Sequence, residues 1–258
     1  MPLLEPIKLL FDQAPIFALV LFRVGGLLVL APLLGSASVP AKVKVLIALV
    51  LSAAVFSLVP QPTAAPNNVW GLTLAVGNEL LIGISMGFTL SLLFLGVQVG
   101  AELISQQMGW SLAQLVDPSS EVSSTVLAQF YVMLATLIYV MMNGPISLLR
   151  SLIQTFETMP LLAAGVAGGV QGLFESTITA AFMLGIQVAG PALTALFLAA
   201  LALGFVSRTM PQLNILAAGF PIQITLALFI LITSLEITCG LFQDSIIWVL
   251  QEIGAVFI

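Results

Sequence analysis

The sequence predicts an all-α integral membrane protein of bent helices and hairpins, and three observations carry that prediction. Its 258 residues are 60% apolar, with a mean hydropathy of +1.20. Only 7% are charged, six Lys and Arg against eleven Asp and Glu, where a soluble domain carries about 25%. The charges also stand far apart. Uncharged runs cover Val45–Asn78, Leu80–Ala101, Val122–Leu149, Ser176–Ser207 and Thr209–Leu235, and each reaches the roughly 20 residues that cross a bilayer core. Backbone in lipid must satisfy its own hydrogen bonds, and these runs are too long for barrel strands, so they are expected to be helices.

Six apolar blocks follow in order. The first, about Ile16–Leu34, contains Arg23; Glu5 and Asp12 precede it where a signal peptide would need a basic start, so it is expected to be retained. The second, about Val43–Val59, is short for a span and is closed by the linker PQPTAAP. The third, about Trp70–Val99, carries Gly83-xxx-Gly87 and opens into Gly96-xxx-Gly100, small-residue pairs that let helix backbones approach. The fourth is about Val126–Leu149. A Gly-rich connector, AAGVAGGVQG, leads into the fifth, about Ser176–Val206, and the sixth is about Leu213–Leu235 with a short apolar tail to Ile258. Pro191 and Pro221 fall inside the last two blocks, where each removes a backbone donor and is expected to bend or break its helix. For six spans, Lys42, Lys44 and Arg208 lie on one side and Lys8 and Arg150 on the other, which sets no orientation.

Several chemistries are excluded. The scattered Lys and Arg make no face for nucleic acid. Without a histidine and without clustered acids, no metal site or nucleophile–base pair is expected. The chain also lacks the Gly-Lys-Ser/Thr phosphate motif. No cofactor is implied, and the chain reads as a non-enzyme. Cys239, the single cysteine, reads as a small buried hydrophobe.

The polar groups inside the apolar blocks are more informative. Arg23, Glu79 and Glu102 each cost at least about 2.5–3.5 kcal/mol at a bilayer centre, so they should face protein or water. Arg23 and Glu79 read as part of an ion path, as a buried pair, or as groups near the interface. Gln98, Glu102 and Gln106 share one helix face at i, i+4 and i+8, extended by Ser105, and this stripe points to a wet path or a polar neighbour. Beyond it runs Gln106-Gln107-Met108-Gly109-Trp110-Ser111-Leu112, then Leu115 and the helix-ending Asp117-Pro118. Gly109 permits a turn there. Ser119, Ser120 and Glu121 resemble a helix start for the fourth block. Such a loop, both bulky and polar, is either an apolar plug that closes a conduit or an interface segment. Met141 and Met142 read as soft pore-facing residues or as core packing.

Five stretches in series resemble the FliR family, the flagellar export-gate subunits of type III secretion systems. They are FRVGGLLVLAPLLGSASVPAKVKV, GNELLIGISMGFTL, GAELISQQMGWSLAQLVDP, NGPISLLRSLIQTFETMP and LGFVSRTMPQLNILAAGFPIQITLAL. The stretch from Gly185 to Leu226, with Pro191, Gly204, Gln212, Asn214 and Phe220-Pro221, resembles the two-helix hairpin of FliQ. The resemblance implies a FliP-like portion over residues 1–175, with a plug loop at about 106–118, fused to a FliQ-like hairpin and tail over 176–258. It also implies FliP, FliQ and FlhB as partners, unfolded flagellar proteins as the exported substrates, and a place in the bacterial inner (cell) membrane at the flagellar basal body. The implied plug comprises Gln106, Gln107, Met108, Gly109, Trp110, Ser111, Leu112 and Leu115, with Gln98 and Glu102 lining the path. Members often carry phenylalanine in this loop where this chain has Trp110 and Leu112. The alternative reading is a small-solute secondary transporter, favoured by the prolines and disfavoured by the lack of a repeat between the two halves.

Overall fold

The computed structural model describes residues 4–36, 38–60, 68–109, 124–162, 167–210 and 215–257. Among them stand seven helices: α1 (Leu4–Leu30), α2 (Ala41–Phe56), α3 (Val69–Gln107), α4 (Val126–Met141), α5 (Gly144–Thr158), α6 (Ala167–Thr209) and α7 (Ile215–Phe257). No strand occurs among the described residues. The all-α membrane architecture expected from hydropathy is the one the chain adopts. Helices α1, α3, α6 and α7 are each long and apolar enough to cross a membrane, and the α4–α5 pair, bent by 63°, makes a fifth if taken as one span. At 16 residues, α2 falls short of the roughly 20 that a crossing needs.

The differences from the expected blocks have local causes. The fourth block is broken at Asn143, which sits at φ 55° and ψ 30°; asparagine tolerates this left-handed conformation better than most side chains. Pro145 then opens α5, where its missing N–H costs no intrahelical bond. By contrast, α6 and α7 run unbroken through Pro191 and Pro221. Each proline deletes one donor, and an apolar surround offers no water to compete for the rest of the ladder. The sixth block and the tail are one helix, because nothing between Leu235 and Phe257 stops it.

The chain forms two compact units. The first takes α1, α2, α3 up to Leu92, α5, α6 up to Thr177 and α7 from Ile246. Its centre is a polar knot inside an apolar core. Arg23 is fully buried and Glu79 nearly so, and the Arg23 Nε donates to the Glu79 carboxylate. Its Nη1 donates to the Thr155 carbonyl at 3.0 Å and to that of Met159 at 3.1 Å, and Nη2 also reaches Met159 at 3.1 Å. These carbonyls lie at the C-terminal end of α5, where that of Thr155 also accepts from the Met159 N–H at 2.9 Å, and a cation there complements the helix electrostatically. The guanidinium also lies over the Phe156 ring, 4.2 Å from its centre. Of the readings open for Arg23 and Glu79, the buried pair is the one found. Close helix contact makes it reachable: a Cβ on Gly83, one turn beyond Glu79, would sit 2.8 Å from the Leu27 nitrogen. Gly26 and Gly87 lie equally close to backbone of the facing helix.

The second unit takes α3 from Leu93, α4, α6 from Ile178 and α7 up to Ser245. Here Gly96 and Gly100 of α3 meet Gly185 of α6. A Cβ on Gly100 would stand 2.6 Å from the Gly185 oxygen, and one on Gly185 would stand 2.7 Å from the Gly96 oxygen. Phe94 packs edge-on against Tyr139 and Phe242, with ring centres 5.7 and 5.3 Å away. Cys239 is half-buried rather than enclosed. Met141 is 74% exposed, which overturns core packing for that residue. It is the last residue of α4.

Two outcomes follow for stability in detergent. Replacing Glu79 with Leu should cost about 3–5 kcal/mol, because the Arg23 charge is left buried and alone; Arg23→Leu/Glu79→Leu should lose less than the two single changes summed, read as thermal midpoints. Gly100→Leu should destabilise by about 1–3 kcal/mol through overpacking, whereas Gly190→Ala, where a Cβ meets no atom within 4 Å, should be tolerated.

Candidate functional site

The last turns of α3 carry the polar stripe. Gln98 and Glu102 are half-buried and Gln106 and Gln107 are exposed, while Ser105 is buried. Exposed Leu95, Val99 and Leu103 interleave with them, so this surface is mixed rather than continuously wet. Glu102 has a definite partner. Its Oε2 accepts from the Thr125 hydroxyl at 2.9 Å and from the Thr125 backbone N–H at 3.3 Å. The Ser105 and Thr125 hydroxyls are 2.8 Å apart and share a hydrogen bond.

Thr125 is the N-cap of α4: extended backbone at φ −69° and ψ 155°, with its hydroxyl accepting from the Ala128 N–H. A threonine before an apolar run suits this position, since the hydroxyl satisfies one of the four orphan donors of the first turn. The carboxylate of Glu102 therefore stands at the positive end of α4, a favourable place for a negative charge. The sequence signal for this cap was present in Thr125-Val126-Leu127, but its partner on α3 was not. Ser119, Ser120 and Glu121, the residues expected to start the helix, lie outside the described residues.

At the other end of the same segment, α3 closes with backbone bonds from Met108 to the Ile104 carbonyl and from Gly109 to that of Gln106. Met108 is fully buried in its unit. Gly109 adopts φ +79°, a conformation open to glycine and strained for other residues. The Phe220 ring of α7 occupies the place a side chain would need: a Cβ there would lie 2.7 Å from Phe220 Cδ1. Phe220 was expected only as part of a Phe-Pro pair in a hairpin, and no spacing rule links it to Gly109.

The structure thus brings Glu102 and Ser105 to Thr125 and seats Phe220 on Gly109, while Gln98, Gln106 and Gln107 make no such side-chain contact among the described residues. Trp110, Ser111, Leu112 and Leu115, like Asp117-Pro118, lie outside the described residues. No group of three or more His, Cys, Asp or Glu side chains able to hold a metal occurs among the described residues. What the arrangement offers is positioning: two anchored chain ends on one helical scaffold.

Comparison with known proteins fits this frame. The chain is 35% identical over 208 residues to the flagellar biosynthetic protein FliR of Escherichia coli (strain K12), covering 81% of this chain and 79% of that one. It is 30% identical over 225 residues to FliR of Caulobacter vibrioides, with 87% and 90% covered. With FliR of Bacillus subtilis (strain 168) the identity is 29% over 231 residues, covering 88% and 89%. Since residues 14–247 also match the family described as bacterial export proteins, family 1, the chain belongs to that family.

Proposed function

We propose that this chain is a non-catalytic core subunit of a bacterial flagellar protein export gate, sharing an export channel with FliP and FliQ. The observation that carries this reading is likeness to FliR proteins along about four-fifths of the chain. In this reading the protein sits in the inner membrane at the flagellar basal body, meets FlhB, and passes unfolded flagellar proteins. It supplies a shaped passage and a closure, and the driving energy comes from other subunits. The plug comprises Gln106 to Leu112 with Leu115, below which Gln98 and Glu102 flank the path. The seating of Gly109 under Phe220 supports a fixed starting point for such a plug.

Residues 1–175 then correspond to a FliP-like portion and residues 176–258 to a FliQ-like hairpin. Two helices of equal length, 43 residues each, joined by a short connection, are what a two-helix hairpin requires. The transporter alternative drew on helices broken at Pro191 and Pro221, and both helices continue through those positions.

Deleting Gln107–Leu112 is expected to make cells leaky to small ions and solutes while the complex with FliP and FliQ still forms. Conductance or dye uptake measures the leak, and wild-type tightness would remove the loop from the role of seal.

A further inference from the structure

Between Asp12 and Glu79 the chain has no acidic residue but three cations, Arg23, Lys42 and Lys44. Arg23 is answered by Glu79. Neither lysine forms an ion pair with a described residue. Both stand at the start of α2, which runs back along α1. At one end the Lys44 Nζ donates to the Gly35 carbonyl at 2.8 Å. At the other, the Phe56 ring meets Phe17 edge-on, with ring centres 5.7 Å apart. Helix α2 thus lies beside Gln13–Leu30, the apolar stretch of α1 that can cross a membrane, with its lysines at the Leu30 end, where hydrocarbon gives way to headgroups. Of α2 itself only Ala48, Ser52 and Val55 are buried. Lys42, Val45, Leu46, Leu49, Val50 and Ala53 recur at i, i+3, i+4, i+7, i+8 and i+11, so they share the opposite face, and all six are exposed.

We propose that this face of α2 is a site for an anionic phospholipid: an acyl chain lies along Val45, Leu46, Leu49 and Val50, and the headgroup phosphate meets Lys42. Charge favours this occupant, because the cations stand at one end of the face, lack a protein anion, and are followed by an uncharged run to Asn78. Length favours it too. From Lys42 to Ala53 the helix rises about 17 Å, close to the hydrocarbon depth of a single leaflet, roughly half of 30 Å. The side chains argue against a protein partner. Four bulky branched residues at the centre of the face hold a second helix backbone away, where close packing in lipid needs a pair of small residues. Nor does the face offer the Trp, Tyr or Arg anchors of a protein hot spot. A fluid acyl chain needs only apolar surface. The site requires that the chain be a membrane protein and is independent of its role in export.

The test takes the full chain, in the assembly with which it purifies, reconstituted into phosphatidylcholine vesicles. These carry a trace of phosphatidylglycerol with a photoreactive group on its acyl chain, or the matching phosphatidylcholine probe. Mass spectrometry of the α2 peptide reads the label. Both probes should label α2, the anionic one about fivefold more, the preference one lysine gives at a negatively charged surface. Raised salt should narrow that difference. Lys42 is exposed, so Lys42→Gln should leave the fold intact and bring the two probes to parity, with phosphatidylcholine labelling unchanged. Lys42→Arg should keep the preference. An unlabelled α2 overturns the proposal, because another subunit then covers the face. Equal labelling by both probes in the unaltered chain overturns it as well, as does a preference that survives Lys42→Gln. Loss of the preference to inorganic phosphate, at an ionic strength matched with chloride, also overturns it and makes Lys42 a contact for the free anion.

Discussion

A buried guanidinium governs the first unit. Arg23 has no water to solvate it, so its charge must be matched by protein, and Glu79 and the end of α5 provide the match. Each partner is itself a group that burial would penalise alone. The carboxylate lacks solvent, and the Met159 carbonyl lies beyond the last turn of α5, where intrahelical donors run out, next to that of Thr155, which also accepts from the Met159 N–H. The three deficits cancel at one point, and in cancelling they fix α1, α3 and α5 with respect to one another. Removing Arg23 or Glu79 leaves the other's charge buried without its partner, which is why so few polar atoms hold so much structure.

The apolar parts obey a different rule. Among helices in lipid, burial of apolar surface gives little net drive, so close backbone approach and dispersion must supply cohesion. Glycines stand where α1 meets α3 in one unit and where α3 meets α6 in the other. Buried Ser85 and Thr89 are satisfied within their own helix, each hydroxyl donating to a backbone carbonyl at 2.7 Å, and so need no partner across the interface. The buried Ser52 and Thr177 hydroxyls do not follow this pattern and have no hydrogen-bond partner among the described residues. Arg23 and Glu102 become tertiary ties instead.

The candidate site was partly legible for the same reason. Gln98, Glu102 and Gln106 announce themselves by helical spacing, and Gly109 by the loss of apolar rhythm after Met108. Their company was not legible. Thr125 looked like one polar residue among several in a Ser-rich stretch, and Phe220 looked like half of a Phe-Pro pair. Met108 reads as part of a plug and is buried within its own unit. Bulk and apolarity suit a stopper and a core equally, and only the facing surface distinguishes them.

Hydropathy, helical spacing and the turn signal at Gly109 are sums over chain neighbours. The sequence by itself therefore determined the class and the long apolar helices, together with likeness to an export family, but not the break at Asn143 or the continuation of α7 to Phe257. Tertiary structure alone decided which polar group answers which. Arg23 finds Glu79 across 56 positions and Glu102 finds Thr125 across 23. Such pairings depend on how closely two helix backbones approach and at what rotation, quantities set by packing against every other helix and written in no local stretch of residues.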